Sequence, residues 1–382
     1  MSAYKILIAD HSKDTVDNIL SFLSDSFEPE VVFSGEEIVD RYYEIKPDIL
    51  ILGLDFSDVD GFELIHYLRN VVNDQDIYII VLIDNDKDDL KIKSLNIGAN
   101  DLLLKPFSRE ILQSRLKVAK RQVELLENLK RAYDRINKEM RLVSNLQLKL
   151  LPKEDFYFQG IELQSYYRPS GQASGDYYDY IKIKDQVLRF CIADVSGHGA
   201  RAAFIMSMVR TIFRLEESRF RSIAELVLML NKSLLDVVGE ESDFVTFFVG
   251  ELDLQQKKFS YVNAGHCPVI ISADDKIQHL PADYPVLGFF DLSFEIKELT
   301  YNNYCNLFLY TDGFYEWEME NGEQFGLDRF LDLVDKYVAK KCIYLEEILV
   351  VLNNMSEFPP MYRDDLTALF IRTKESEDGV CS

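Results

Sequence analysis

Along the first 107 residues the apolar positions come in short unbroken runs, Lys5–Ala9, Val31–Phe33, Asp48–Leu52, Ile77–Ile83 and Asp101–Leu104, separated by stretches with a helical period. A strand covered on both faces has no polar side to show, so it reads as a continuous apolar run. Alternation with helices then predicts an α/β doubly wound parallel sheet of the flavodoxin-like kind. From Ser108 to Leu151 the pattern changes: there is no glycine or proline, and apolar residues recur at steps of three and four. One seam runs Leu112, Leu116, Ala119, Val123, Leu126; a second runs Leu129, Tyr133, Ile136, Met140, Val143, Gln147, Leu150. The short step from Leu126 to Leu129 breaks the heptad. This predicts one long helix whose stripe shifts, explained by a coiled-coil dimer seam, with a helix folded back on its own domains as the rival. Pro152 ends it.

Beyond Pro152, strand-like stretches (Ile161–Tyr167, Val187–Ile192, Thr246–Leu252, Phe259–Val262, Asn306–Tyr310, Thr367–Ile371) alternate with helical ones (Ala200–Leu215, Ile223–Val238, Leu327–Val338, Leu345–Asn353). Hairpin spacing, as at Asp253–Lys258, points to antiparallel sheets flanked by helices, an α+β layout. The expected division is a first domain at 1–107, a helical linker at 108–155, a second domain at 156–374 and a frayed tail at 375–382.

A chain of 382 residues fits two domains better than one, and 47% hydrophobic residues supply two cores. The net charge of -23 argues against a general nucleic-acid binder and against docking on an anionic membrane. The helical stretch from Ser108 to Leu151 is basic, with eleven Lys/Arg against five Asp/Glu, which reads as a solvated face or a surface for an acidic neighbour. The five cysteines form no CxxC pair and read as reduced thiols. With no apolar run long enough to span a membrane and a strand starting at Tyr4, the expected location is cytoplasmic.

Four aspartates carry the chemistry. They are Asp176 in SGDYYD, Asp194 in DVSGHG, Asp312 in TDG and Asp364 in RDDLT, each with an apolar or alternating run on one side that places it at a strand end. By base rate each alone is a turn or cap residue. Gathered from distant positions, such carboxylates are suited to hard divalent cations, and two ions at one site point to phosphate-ester hydrolysis.

With the Gln147–Pro152 segment, the Asn263–His266 turn and Val286-Leu287-Gly288, and with TDG extended back to the Leu309–Gly313 strand end, these motifs make seven in order across the second domain. That domain resembles the metal-dependent PPM (2C-like) protein phosphatases, in their sporulation-phosphatase (SpoIIE-type) branch. The resemblance implies an αββα sandwich holding two Mn²⁺ or Mg²⁺ ions. Asp194 would bridge the ions, the Val195 carbonyl would bind one, and Asp176 would join on one side with Asp312 and Asp364 on the other. These four aspartates are thereby also its catalytic set. Asp179 and Asp365 are expected to support the ligands or shape turns. Ser196 stands where relatives with a catalytic histidine carry it, so His198 is not assigned general-acid work. His266 reads as a turn-packing histidine, and Arg168, before a proline, as structural.

The first domain resembles the receiver domain of two-component response regulators, through Ile6–Asp10, Pro47-Asp48, Asp60–Leu64, Gly98–Asp101 and Lys105-Pro106-Phe107. A working receiver needs an acidic pair, a phosphoryl-accepting aspartate and a Ser/Thr. Counting from Asp60-Gly61, those positions hold Asp10-His11, Gly53 and Ile83. Lys105 is left to pair with Asp10, and Asp55 would replace the acceptor only through a rearranged loop. The expectation is a pseudo-receiver that docks or dimerises without being phosphorylated.

The resemblance implies a serine/threonine phosphatase acting on a phosphorylated anti-sigma-factor antagonist (STAS) protein in a partner-switching pathway. It is expected to form a homodimer through the linker and to need neither nucleic acid nor membrane. A silent adaptor is the alternative, disfavoured because all four carboxylates are present. A GGDEF-type cyclase fits poorly, given Tyr177 after Asp176 and the downstream TDG and RDDLT.

Overall fold

The computed structural model describes residues 3–84, 88–153, 155–171, 173–197, 199–215, 222–238, 243–319, 322–338, 345–354 and 364–373. They form two compact units, residues 1–135 and 136–382. His198, Cys342, Cys381 and the 375–382 tail lie outside the described residues.

In the first unit, strands β1 (Tyr4–Ala9), β2 (Phe27–Val32), β3 (Ile49–Gly53), β4 (Tyr78–Asp84) and β5 (Asp101–Lys105) form a parallel sheet in the order β2-β1-β3-β4-β5. This is the flavodoxin-like order. Helices α1 (Lys13–Phe22), α2 (Gly35–Ile45), α3 (Gly61–His66) and α4 (Asp88–Ile97) connect the strands. Helix starts follow the polar residues before them: Ser12 accepts from the Thr15 N–H at 3.3 Å and Asp60 from the Phe62 N–H at 2.8 Å. All five runs overlap strands; burial on both faces explains the central β1, β3 and β4, whereas edge strand β2 is exposed at Glu28, Pro29 and Glu30 and shares only Val31 and Val32 with its run.

Helix α5 (Arg109–Leu150) is the expected long helix. Its first seam has another role than the one expected. Leu112, Leu116, Ala119 and Val123 are buried with Ile6, Ile8, Ile49, Ile51 and Ile80, covering one face of the parallel sheet. Here the rival reading holds: an apolar sheet face needs a helix, and the start of α5 fills that need. The second seam leaves Leu129, Tyr133 and Ile136 exposed, while Gln147 is buried.

The second unit stacks two antiparallel sheets. One orders β14 (Lys297–Thr300), β11 (Lys258–Ala264), β10 (Val245–Asp253), β9 (Val187–Val195) and β8 (Tyr177–Lys184). The other orders β13 (Lys276–Leu280), β12 (Val269–Ala273), β15 (Cys305–Tyr310), β16 (Leu366–Thr373), β7 (Ile161–Arg168) and β6 (Asp155–Phe158). Between the sheets lies a core that includes Phe190, Phe248, Phe259, Leu307, Leu309 and Leu369. Helices α6 (Ala200–Phe213) and α7 (Ile223–Val238) cover the first sheet, and α8 (Leu327–Val338) and α9 (Leu345–Asn354) the second. The result is the αββα sandwich expected of the second domain.

Candidate metal centre

Antiparallel pairing puts the aspartates at one end of both sheets. Asp176 immediately precedes β8, whose first residue, Tyr177, pairs with Ala193; Asp194 is the next residue of β9 and pairs with Thr246. In the other sheet Asp312 lies just past the end of β15, and Asp364 just before β16, where Tyr310 pairs with Ala368. Two hydroxyls tie the sheets together. The Thr311 and Thr367 Oγ1 atoms both donate to Asp176 Oδ2, at 2.9 and 2.5 Å.

Glycines permit the close approaches. A Cβ on Gly175 would stand 2.4 Å from the Val195 carbonyl oxygen, and one on Gly313 would stand 2.1 Å from the Asp365 carbonyl oxygen. Side chains there would push the loops apart, so SGD and TDG need glycine for proximity. Asp365 is the clasp of the site. It is buried, and its carboxylate accepts from the Ser170 N–H and Oγ at 2.7 and 2.9 Å, from Ser174 Oγ at 2.6 Å and from the Gly175 N–H at 3.0 Å. The other acidic neighbour, Asp179, is fully buried and accepts from the Arg214 guanidinium and the Tyr177 hydroxyl. Both aspartates therefore brace the loop around Asp176. The end of α5 does so too: the Gln147 amide donates to the Ser174 carbonyl at 2.8 Å and accepts from the Ser174 N–H at 3.2 Å.

The electrostatics are those of carboxylates crowded together. Burial, then Asp194 and Asp365, raise the Asp176 pKa well above the ordinary carboxylate range. Burial, then Asp312, Asp364, Asp365 and Glu316, do the same at Asp194. Asp312 is raised to about 6 by burial, then by Asp364 and Glu316. Among the described residues, no three His, Cys, Asp or Glu side chains already stand close enough together to hold an ion. Even so, the donor set fits hard cations. All donors are oxygens, the charges that raise Asp194 are all carboxylates, and a divalent ion would relieve that repulsion.

Other sequence expectations find their places. His266 is buried and neutral, pushed down to about 3 by burial, with Nδ1 2.9 Å from Thr246 Oγ1 and its N–H donating to Asn263 Oδ1 at 3.0 Å. Ser196 exchanges hydrogen bonds with the Phe244 backbone at 2.8 and 2.9 Å. Arg168 is exposed at the end of β7, opposite Leu366. Sequence reading missed Glu316, four residues past Asp312 and one of the charges acting on it, and the hydroxyls of Thr311 and Thr367. In a strand sequence threonine reads as a β-former, which hides such a role.

In the first unit, Asp10 is fully buried and receives Lys105 Nζ at 2.5 Å, as expected. Gly53 ends β3, Ile83 lies in β4, and Asp55 is exposed in the loop after β3, bridged to Asp60.

The family Stage II sporulation protein E (SpoIIE) matches residues 184–374, half of the chain. The chain belongs to this family. The response regulator receiver domain matches residues 6–117. Phosphoserine phosphatase RsbP of Bacillus subtilis is 31% identical over 46% of this chain and 45% of its own length. Phosphoserine phosphatase RsbU of the same species is 27% identical over 65% of this chain and 74% of its own. The chain thus spans under half the length of RsbP. The solved SiaA-PP2C domain of Pseudomonas aeruginosa aligns with a TM-score of 0.52 at 20% identity, covering 64% of this chain and 98% of that domain, which shows the shared fold. Among the described residues no helix is long and apolar enough to cross a membrane.

Proposed function

We propose that this member of the SpoIIE family is a metal-dependent protein serine/threonine phosphatase governed by its receiver-like first unit. The observation that carries the proposal is the convergence of Asp176, Asp194, Asp312 and Asp364 at one end of two sheets, with Gly175 against the Val195 carbonyl. Asp194 is assigned the bridging position that the resemblance implies, supported by its place between the two groups: it raises the pKa of Asp176 and is itself raised by Asp312 and Asp364. The Val195 carbonyl would supply a neutral oxygen ligand to a bound ion. When bound, two Mn²⁺ or Mg²⁺ ions supply Lewis-acid activation of water and neutralise phosphoryl charge. Thr311 and Thr367 hold Asp176 in its orientation, and Asp365 and Gln147 fix the loop before it.

The substrate we propose is a phosphorylated STAS protein in a partner-switching pathway, supported by the likeness to RsbP and RsbU. A homodimer through α5 and a pseudo-receiver acting on that helix complete the reading, with 1–107, 108–155 and 156–374 as receiver-like module, linker and phosphatase domain. The test is phosphate release from p-nitrophenyl phosphate and from a phosphorylated STAS protein of the same organism, with Mn²⁺ or EDTA, beside Asp194→Asn. Release that needs metal and is lost in the variant is the expected result. Silence on both substrates with Mn²⁺ bound would leave an adaptor, and failure to bind Mn²⁺ would overturn the proposal.

A further inference from the structure

The loop after Leu287 holds two phenylalanines out to water. Phe289 is 46% exposed and Phe290 57%, and Phe204 on α6 is 65% exposed. The exposure is built in. Asn231 of α7 is fully buried and spends its whole side chain on this loop: Nδ2 donates to the Phe290 carbonyl at 2.7 Å and Oδ1 accepts from the Gly288 N–H at 3.0 Å. The two bonds bracket Phe289 and fix its backbone. Phe289 in turn packs on half-buried Phe244, their ring centroids 6.0 Å apart. Exposed apolar residues scattered singly need no explanation, but a rigidly mounted group of them marks a contact surface.

Its position says what it contacts. The Phe244 N–H donates to Ser196 Oγ and the Phe244 carbonyl accepts from the Ser196 N–H, Ser196 being the residue after Val195. The next residue, Val245, pairs with both Val195 and Leu287, so β9, β10 and the Phe289 loop are neighbours in one layer. At roughly 5 Å per strand spacing and roughly 3.3 Å per residue, the shelf begins on the order of 10 Å from Asp194. The Arg201–Asp243 ion pair joins α6 to the residue before Phe244, and Phe204 lies one turn from Arg201 on the same helix face. A free phosphate ester would not reach this shelf. A folded protein with its phosphoryl group at the aspartates would cover it.

We propose that Phe289 and Phe290, flanked by Phe244 and Phe204, form the docking surface for the protein substrate. The surface fits a folded phosphoprotein that carries apolar side chains on the order of 10 Å from its phosphoserine. This inference rests on the phosphatase reading above. Its test compares wild type, Phe289→Ser/Phe290→Ser and the control Phe33→Ser, whose side chain is equally exposed in the first unit. Two substrates are used: p-nitrophenyl phosphate and the phosphorylated STAS protein. The expected result is a fall of at least about tenfold in kcat/KM for the protein substrate, carried by KM, with p-nitrophenyl phosphate turnover within about twofold of wild type. Equal loss on both substrates, or on neither, would overturn it. So would a change confined to self-association. The same pair of substitutions in the Asp194→Asn background is tested for binding of the phosphoprotein. Affinity weakened at least about tenfold supports the surface whether or not hydrolysis occurs, and unchanged affinity overturns it while leaving the phosphatase reading standing.

Discussion

Asp312 shows how single residues report on this centre. Its pKa is raised from 3.8 to about 6, first by burial and then by Asp364 and Glu316. Between about pH 4 and 6 the folded protein keeps a proton that the unfolded chain has lost. The contribution of this group to stability therefore falls as pH rises through that window and is at its minimum near neutrality. In EDTA, Asp312→Asn is expected to be more stable than wild type near pH 7.5, on the order of 1 kcal/mol once partial exposure is discounted. Chemical denaturation should show the gap shrinking by about pH 5, and Mn²⁺ should reverse the order. A gap indifferent to pH would contradict the account. Asp365 supports a second expectation. Asp365→Ala leaves the N–H groups of Ser170 and Gly175 without their partner, costing about 1–3 kcal/mol each where buried. Mn²⁺ affinity should drop about 10–100-fold, as for other residues that orient ligands; a metal titration with unchanged affinity would refute the clasp. In the sequence, strand-end position made the four aspartates legible, helped by nearby glycines at Asp176, Asp194 and Asp312 but not at Asp364. The division of labour within Asp364-Asp365 was left to the resemblance, because both residues of a doublet carry the same local pattern and differ only in which way the chain turns them.

At the scale of elements, apolar runs gave the covered strands and helices, whereas edges were harder. β13, with four exposed residues of five, and β14, four residues long, have no apolar pattern to announce them and are held by ladders to β12 and β11. β8 opens with Asp179 among three tyrosines, and this buried carboxylate interrupts the apolar pattern, so the strand was not among those expected. Helix α5 was legible as a helix, but not the partner of each stripe, since an apolar seam looks alike against a sheet or a second helix. Leu116 belongs to the sheet's core, so Leu116→Ala should cost about 2–5 kcal/mol of unfolding free energy and leave association intact. A different stripe is open: Ile111, Val118 and Leu125 at seven-residue steps, with Leu129 and Ile136 forming a second row offset by four. That spacing is a heptad seam. Leu129→Arg/Ile136→Arg should give a monomer in sedimentation equilibrium with its fold retained; a monomeric wild type would remove the α5 dimer from the proposal.

For the whole molecule, the proposed control by the receiver-like unit has to work with a site that holds Gly53 in place of an acceptor. The missing acceptor was legible by counting from Asp60-Gly61. The Lys105–Asp10 pair was expected too; what counting did not show is how close it lies to Gly53. Asp10 is fully buried, accepts from the Ser12 N–H at 2.8 Å and from Lys105 at 2.5 Å, and its Oδ2 would lie 2.6 Å from a Cβ placed on Gly53. A phosphoryl group there would have to displace an ion pair already made, and Lys105 has no second charge free to sense it. Incubation with acetyl phosphate and Mg²⁺ should therefore leave the intact mass and the phosphatase rate unchanged. Gly53→Asp alone should not restore phosphorylation, because His11 still leaves the Mg²⁺-binding pair one carboxylate short and Ile83 still fills the Ser/Thr position. Asp55 is the carboxylate of the loop after β3 nearest in sequence to Gly53 and the rival acceptor to test. A gain of one phosphoryl group, abolished by Asp55→Ala, would make the unit a true receiver with a displaced acceptor. Without that gain, the input to α5 has to be a binding event on the first unit, because a ligand shifts a conformational equilibrium only by preferring one state, and the phosphoryl group is not available to do so.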